Sequence, residues 1–277
     1  MLYPVTQGYS PVKQCEARSG IITLITDFGL NDPYAGQLRG ALLKAYRHVT
    51  IVDISHSIRR HDSIEAAVVL RSSYHHFPAG SVHLAVVDPG VGSTRSILAG
   101  QTSDSHYFIA PDNGILSLLF SDNLIQVLYR LEMPLPRGSA TFQGRDIMAP
   151  AAGAIARGKE LEQIGTPVSP ADCVIKSSLQ VEKKGGRIIG VIIRIDHFGN
   201  IRTSIRKRDV TGLQKKEMFI NLGATRISGL STTYNEQPPG SLCALIDSDG
   251  FLEIACNQGN AAKMLQAGIG EKITVSW

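Results

Sequence analysis

IITLITDFGLNDPYAGQLRGALLKAYRHVTIVDISHSIRRHDSIEAAVVLRSSYHHFPAGSVHLAVVD, residues 21–88, alternates short β-rich runs with helical patterns. Apolar runs at 21–26, 49–55 and 81–88 flank segments at 33–46 and 62–77 whose apolar residues recur with the helical period. That alternation predicts βαβ units. A fourth strand, HYFIAP (106–111), leads into a helix at 113–121, and a later helix at 146–158 starts with Asp146 as a plausible N-cap. Parallel strands with crossover helices imply a sheet covered on both faces. The fold class is therefore α/β, with an N-terminal α/β domain over 21–165 built on a mostly parallel sheet.

Around 159–180 the sequence turns rich in Pro, Gly and Ser, which places a linker there, broken near residue 170. Beyond it the helical period vanishes. RIIGVIIRID, GNIRTSI, EMFINL, ATRISGL, SLCALID, GFLEIAC and EKITVSW read as short strands between Gly, Asn and Pro turns. A small all-β barrel domain over 175–277 is the expectation.

The whole chain has 277 residues, 43% apolar and 19% charged, which suffices for a large core without the long apolar runs of a membrane protein. Its 28 Lys+Arg against 24 Asp+Glu leave +4, with the basic residues scattered apart from Arg206, Lys207 and Arg208. Nucleic-acid binding normally shows as a basic face, so no nucleic-acid partner is expected, and no membrane partner either. Cys15, Cys173, Cys243 and Cys256 are too few and too far apart for a disulfide framework or a zinc knuckle, and reduced thiols fit a cytoplasmic protein. Residues 1–20 lack a continuous apolar run and read as a loose N-terminal extension.

Asp27, Asp53, Asp88 and Asp112 each fall at or just after the carboxyl end of a predicted strand. In an open α/β sheet those ends share one edge, where ligands bind. Asp53, in DISH, and Asp112, in PDNG, read equally well as turn chemistry. Asp32 precedes Pro33 and locally reads as an N-cap, and Asp62 with Glu65 reads as a capping box.

The segment Asp88-Pro89-Gly90-Val91-Gly92-Ser93-Thr94-Arg95 is more informative. Its glycines allow a tight turn, and the carboxylate and guanidinium at its ends could meet across the loop. No GxxxxGK[ST] or GxGxxG pattern supports a nucleotide triphosphate or dinucleotide site, and no G-x-S-x-G elbow supports a serine hydrolase. His75 and His76 end a helix, and no His pair shows a metal-ligand spacing such as HExxH.

ITDFGLND (25–32), VDISH (52–56), VVDPGVGSTR (86–95), APDNGILS (110–117), TFQGRDIMAP (141–150), IDHFGNIRT (195–203) and DSDGFLEIACNQGNAA (247–262) together resemble the S-adenosyl-L-methionine hydrolases, or hydroxide adenosyltransferases, relatives of the fluorinases and chlorinases. The resemblance is collinear over 21–277. It implies an α/β domain, a β-barrel, and a homotrimer with active sites between the first domain of one subunit and the second domain of its neighbour. The implied reaction is attack of water, acting as hydroxide, on ribose C5′ of S-adenosyl-L-methionine, giving adenosine and L-methionine without metal or organic cofactor. S-adenosyl-L-methionine or adenosine is thus the expected ligand.

The same resemblance gives residues their expected roles. Asp88 orients and deprotonates the water, and Arg95 fixes Asp88 and offsets charge near the incipient hydroxide. Family hydrolases carry His where this sequence has Gln143, which hydrogen-bonds but does not titrate near neutral pH. For substrate binding, Asp27 matches the ribose-hydroxyl contact, Asp32 an acidic residue near the methionine ammonium, and Phe142 a pocket residue beside Gln143. Asn200 matches the adenine-edge contact, Phe198 lines the base pocket, and Ser248 matches a methionine carboxylate contact. Halogenating relatives have an arginine at Asp249 and a neutral tyrosine at Asp88. A carboxylate at that position repels an anion, so water is the favoured nucleophile. The alternatives are an adenosine or S-adenosyl-L-methionine binding protein whose catalysis is weakened or lost with Gln143, and a 5′-halo-5′-deoxyadenosine synthase.

Overall fold

The computed structural model describes residues 18–132, 140–214 and 217–277. Of the expected extension over 1–20, all but the last three residues lie outside that set, as does Cys15. In chain order the first part contains β1 (Ile21–Thr26), α1 (Tyr34–Ala45), β2 (Thr50–Ser55), α2 (Ser63–Ser73), β3 (Val82–Val86), β4 (Ile97–Thr102), β5 (Tyr107–Pro111), α3 (Ser117–Ser121), β6 (Ile125–Leu131), α4 (Ala149–Ala156) and β7 (Gly165–Pro167). These strands form one sheet in the order β2-β1-β3-β5-β4-β6-β7.

The pairings β2-β1, β1-β3 and β3-β5 are parallel, while β5-β4, β4-β6 and β6-β7 are antiparallel. The sheet is thus mixed, with its parallel half confined to the βαβ repeats. The antiparallel half follows from a short connection: only residues 103–106 join β4 to β5, too few for a parallel crossover. β4 holds Gly100 and Gln101, weak strand formers, and gains its place by packing: a Cβ on Gly100 would stand 3.0 Å from the Leu128 side chain of β6. The helix expected over 113–121 is shorter, and β7 falls inside the stretch expected to be a linker.

Both faces of this sheet are covered. Ile22, Leu24, Val82 and Leu84 face α1 and α4, and Ile25, Ala85 and Phe108 face α2 and α3. Strands buried on both sides explain why their sequences are continuously apolar. Asp62 caps α2, accepting from the backbone N–H groups of Ile64 (3.0 Å) and Glu65 (2.8 Å). Glu65 does not return to Asp62 as a full capping box requires. It takes the N–H and Nε of Arg59, each at 3.0 Å.

The second part contains β8 (Glu182–Lys184), β9 (Arg187–Ile195), β10 (Ile201–Arg206), α5 (Lys207–Val210), β11 (Phe219–Leu222), β12 (Thr225–Ser228), β13 (Leu242–Ile246), β14 (Phe251–Cys256), α6 (Ala261–Leu265) and β15 (Lys272–Ser276). All pairings are antiparallel, in the order β12-β11-β15-β9-β10-β14-β13, with β8 added to β9. The sheet is nearly closed: just past β12, the Ser231 N–H donates to Ala244 O of β13 at 2.8 Å. Its interior is filled by Ile188, Ile201, Ile220, Ile254 and Ile273, among others. Two short helices, α5 and α6, stand where no helical period was legible.

The two sheets meet across α2 and α3. Ala67, Val68 and Leu118 pack against Ile193 and Phe251. Beside that apolar contact, Asp122 receives Arg71 Nε (2.7 Å), Arg206 Nη2 (3.2 Å) and Arg208 Nη1 (2.7 Å). Burial opposes the Asp122 charge, yet Arg206, Arg71 and Arg208 together hold its carboxyl below the usual range. Among the described residues no helix is long and apolar enough to cross a membrane, and Cys173, Cys243 and Cys256 are free.

Inside the first sheet, Thr23 Oγ1 and His83 Nδ1 are 2.8 Å apart, and His83 Nε2 lies 3.1 Å from His106 Nδ1. Burial, and then the neighbouring His106, push His83 down to about 3. A histidine depressed in the folded state stabilises the fold above its unfolded value of 6.5, and that stability is lost as pH falls toward 3. Thermal melts should therefore show a loss of about 2 kcal/mol between pH 7 and pH 5. His83→Gln should flatten that slope, and equal slopes in both proteins would refute the assignment.

Candidate active site

The site grows from the carboxyl edge of the parallel strands. Asp88, two residues beyond β3, is clamped by Arg95. Nε donates to Oδ1 at 2.7 Å and Nη2 to Oδ2, while the Gly90 N–H also reaches Oδ1 at 3.1 Å. The two side chains are only 6% and 10% exposed, so the pair is largely shielded from water. The loop between them is a compact turn: the Ser93 hydroxyl donates to Gly90 O (2.7 Å), and Gly92 has φ +80°. A Cβ at Gly92 would meet Ala140 O at 2.9 Å, so the turn needs glycine for both its conformation and its contact.

Arg95 Nη2 also donates to Gln143 Oε1 at 2.5 Å. Gln143 reaches Arg95 because the next residue, Gly144, lies directly on β3, where a Cβ would be 2.7 Å from Val86 Cγ1. Gly144–Met148 form a wide π-type turn running into α4. Asp146 therefore does not cap a helix. It sits inside that turn, where its two oxygens accept Arg145 Nε (2.6 Å) and Nη2 (2.9 Å).

Phe142 connects this group to the loop after β1. Its ring lies edge-on to Phe28 (5.5 Å between centroids) and Tyr34 (5.7 Å). Phe28, with Asp27, Asp32, His56 and Arg59, lines a cavity of about 290 Å³. Asp27 Oδ2 accepts the backbone N–H of His61 at 2.9 Å. Asp32 makes no capping bond: α1 has Pro33 at its N-cap position and no side-chain cap. The loop rests on His56, whose Nδ1 lies 2.8 Å from Thr26 Oγ1 and whose Nε2 lies 3.0 Å from Asp53 Oδ1. Burial works against the Asp53 charge, but hydrogen bonds from Arg39 and His56 outweigh it and hold the carboxyl low. Asp53 thus stands inside β2 as a support, and Asp112 holds a loop by accepting the Val174 N–H at 2.9 Å.

Phe198, Asn200 and Ser248 lie elsewhere. Phe198 and Asn200 line a cavity of about 720 Å³ with Asp196, Tyr234 and Asn260, and Ser248 lines another of about 420 Å³ beside Lys207 and Asp247. Among the described residues, none of the three lines the cavity that holds Asp27 and Asp32. Asp196 shapes its loop by accepting the N–H groups of Phe198 and Asn200, each at 2.9 Å, and Asn200 Nδ2 at 3.2 Å. The Phe198 ring is left 71% exposed. Tyr234 donates its hydroxyl to Glu253 at 2.9 Å, and burial pushes the Glu253 carboxyl up to about 7.

Sequence reasoning did not single out Phe28, Tyr34, His56, Asp196 or Tyr234. Phe28 (beside Asp27), His56 and Asp196 stand within ITDFGLND, VDISH and IDHFGNIRT. Tyr234 and Tyr34 carry no local signal. The four carboxylates expected at the first sheet's edge, Asp27, Asp53, Asp88 and Asp112, do not gather into a metal-ligand set among the described residues.

Comparison with known proteins gives a consistent picture. Residues 22–165 match the family model described as SAM hydroxide adenosyltransferase N-terminal domain, and residues 190–274 match that of the C-terminal domain. An (R)-S-adenosyl-L-methionine hydrolase of Thermus thermophilus is 32% identical over 88% of this chain and 94% of its own length. A fluorinase of Nocardia brasiliensis is more distant, at 27% over 93% and 98%. An uncharacterized conserved protein from Thermotoga maritima has a crystal structure that covers 92% of this chain and all of its own, with a TM-score of 0.83 and 28% identity.

Proposed function

The chain belongs to the SAM hydroxide adenosyltransferase family, and from that premise we propose that it is an enzyme hydrolysing S-adenosyl-L-methionine to adenosine and L-methionine. The observation that carries this reading is the clamped Asp88 carboxylate at the sheet edge, joined through Arg95 to Gln143.

The chemistry asks little of a cofactor. A sulfonium carries its own positive charge and leaves as a neutral thioether, so the protein has to align a water in line with the C5′–S bond and exclude bulk solvent. Asp88 already accepts three hydrogen bonds, two of them from Arg95. Its remaining lone-pair capacity orients the water. As the water oxygen bonds to C5′, the C–S electron pair returns to sulfur and the proton passes to Asp88. Arg95 keeps the carboxylate aimed and offsets its charge. Gln143 takes the place of the family histidine without breaking the contact to Arg95, and its amide NH₂ remains a donor for the water. The arrangement favours turnover over a binding protein that has lost it.

Asp27 keeps one oxygen free of His61 for the ribose hydroxyls, and Asp32 lies where the methionine ammonium needs a counter-charge. Phe142, with Phe28 and Tyr34, forms the apolar wall that keeps bulk water away. Phe198 offers a face and Asn200 an edge to adenine, and Ser248 contacts the methionine carboxylate. Their place in cavities other than the one that holds Asp27 and Asp32, with the exposed Phe198 on one half and the 76% exposed Leu30 on the other, supports a homotrimer in which neighbouring subunits complete each site. In that arrangement residues 21–165 and 175–277 act as the two domains, and the reduced thiols fit a cytoplasmic protein. Incubation with S-adenosyl-L-methionine in halide-free buffer should release adenosine and methionine in equal amounts. Binding without methionine release, or consumption only with added halide, would overturn the reading.

A further inference from the structure

Outside the Asp88 clamp, three side chains gather that the proposed reaction does not use. His75 and His76 follow α2, and Asp249 belongs to the turn between β13 and β14 on the other half of the chain. Their ligand atoms all lie within 4.8 Å of one another. We propose that His75, His76 and Asp249 form a binding site for a divalent transition metal of the Zn²⁺ class, pinning the two halves of the chain together.

The surroundings of the three donors suit a shared ligand. The two imidazole rings stand 4.1 Å apart between centroids, inclined by 39°, and both residues are exposed. The backbone carbonyl of Arg71 stands beside the His75 ring. Ligating histidines are typically oriented by an outer hydrogen bond, a part that this carbonyl can play. Asp249 is oriented as well: Arg202 Nη2 donates to its Oδ2 at 2.7 Å, leaving a second oxygen for a cation. The same guanidinium donates through Nη1 to Ser72 Oγ at 2.7 Å, fastening the Asp249 turn to the end of α2. Asp247 stiffens that turn by accepting the N–H groups of Asp249 and Phe251, each at 2.9 Å.

Two imidazoles and one carboxylate select Zn²⁺, Ni²⁺ or Co²⁺ over the oxygen-seeking Mg²⁺ and Ca²⁺. Tetrahedral Zn²⁺ places its donors about 3.3 Å apart, so closure asks for a contraction of about 1.5 Å, within reach of exposed side chains. Water would fill the remaining position. His75 and His76 show no zinc spacing in sequence because the third ligand comes from the other half of the fold.

The test is equilibrium dialysis of tag-free, EDTA-treated full-length protein against Zn²⁺, with thermal melts alongside. One Zn²⁺ should bind per chain and raise the melting temperature by about 5 °C at saturation. His76→Gln and Asp249→Asn should each weaken binding tenfold or more, and Cys173→Ser should leave it unchanged. Should Asp249→Asn fail to fold, the exposed His76→Gln still decides. Absence of bound Zn²⁺, undiminished binding by His76→Gln, or loss of binding with Cys173→Ser would each overturn the site.

Discussion

Asp88→Asn should lower kcat for S-adenosyl-L-methionine hydrolysis by about 10²–10⁴-fold, the range typical of removing a positioned acid–base group. The amide keeps the size and shape of the carboxylate, so the loop from Asp88 to Arg95 should persist. What disappears is the proton acceptor and the counter-charge of Arg95. KM should change far less than kcat, because the water is engaged in the transition state and the substrate is held by other groups. The circular dichroism spectrum should match that of the parent protein. A variant with parental kcat would show that the Asp88–Arg95 pair only staples its loop.

Asp122→Ala should destabilise the fold by about 3–5 kcal/mol, the usual result of removing one partner from a buried charge cluster. Asp122 is 7% exposed and serves Arg71, Arg206 and Arg208 at once. Without it Arg206, itself buried, retains Phe251 beneath its guanidinium at 4.0 Å but no carboxylate. Burial already lowers the Arg206 pKa, so losing the counter-charge falls where charge is least tolerated. Because Arg206 and Arg208 belong to the second sheet's half and Asp122 to the first, the damage should appear as separate unfolding of the two halves. Arg208→Gln is the control: with that side chain 54% exposed, its ion pair should be worth less than 1 kcal/mol. Equal losses in the two variants would refute the role given to Asp122.

Parts of this architecture are legible from residues alone because burial on both faces forces a continuous apolar run. β1, β3 and β5 announce themselves in that way, whereas the edge strand β2, which has no buried residue, and the seven strands expected of the second half are marked by the turn residues that bound them. β4 and β6 do not, because Gly100 and Gln101 dilute one, and polar residues such as Gln126 and Arg130 interrupt the other. Their pairing is decided by packing across the sheet, which no local period encodes. The site divides similarly. The contact between Asp88 and Arg95 follows from a short glycine-rich loop. The contact between Arg95 and Gln143 depends on Gly144 lying against Val86, a tertiary event. Asp32 reads as a cap only because Pro33 follows it, and α1 begins without using its side chain. The His75, His76 and Asp249 group combines both halves of the fold and is invisible before they meet.

The central claim is that water, positioned by Asp88, attacks ribose C5′. The most direct measurement is turnover of S-adenosyl-L-methionine in H₂¹⁸O without halide, followed by mass spectrometry of the nucleoside. The account predicts adenosine carrying one ¹⁸O at its 5′-oxygen, with methionine unlabelled. Unlabelled adenosine, or a nucleoside product formed only when halide is supplied, would contradict it.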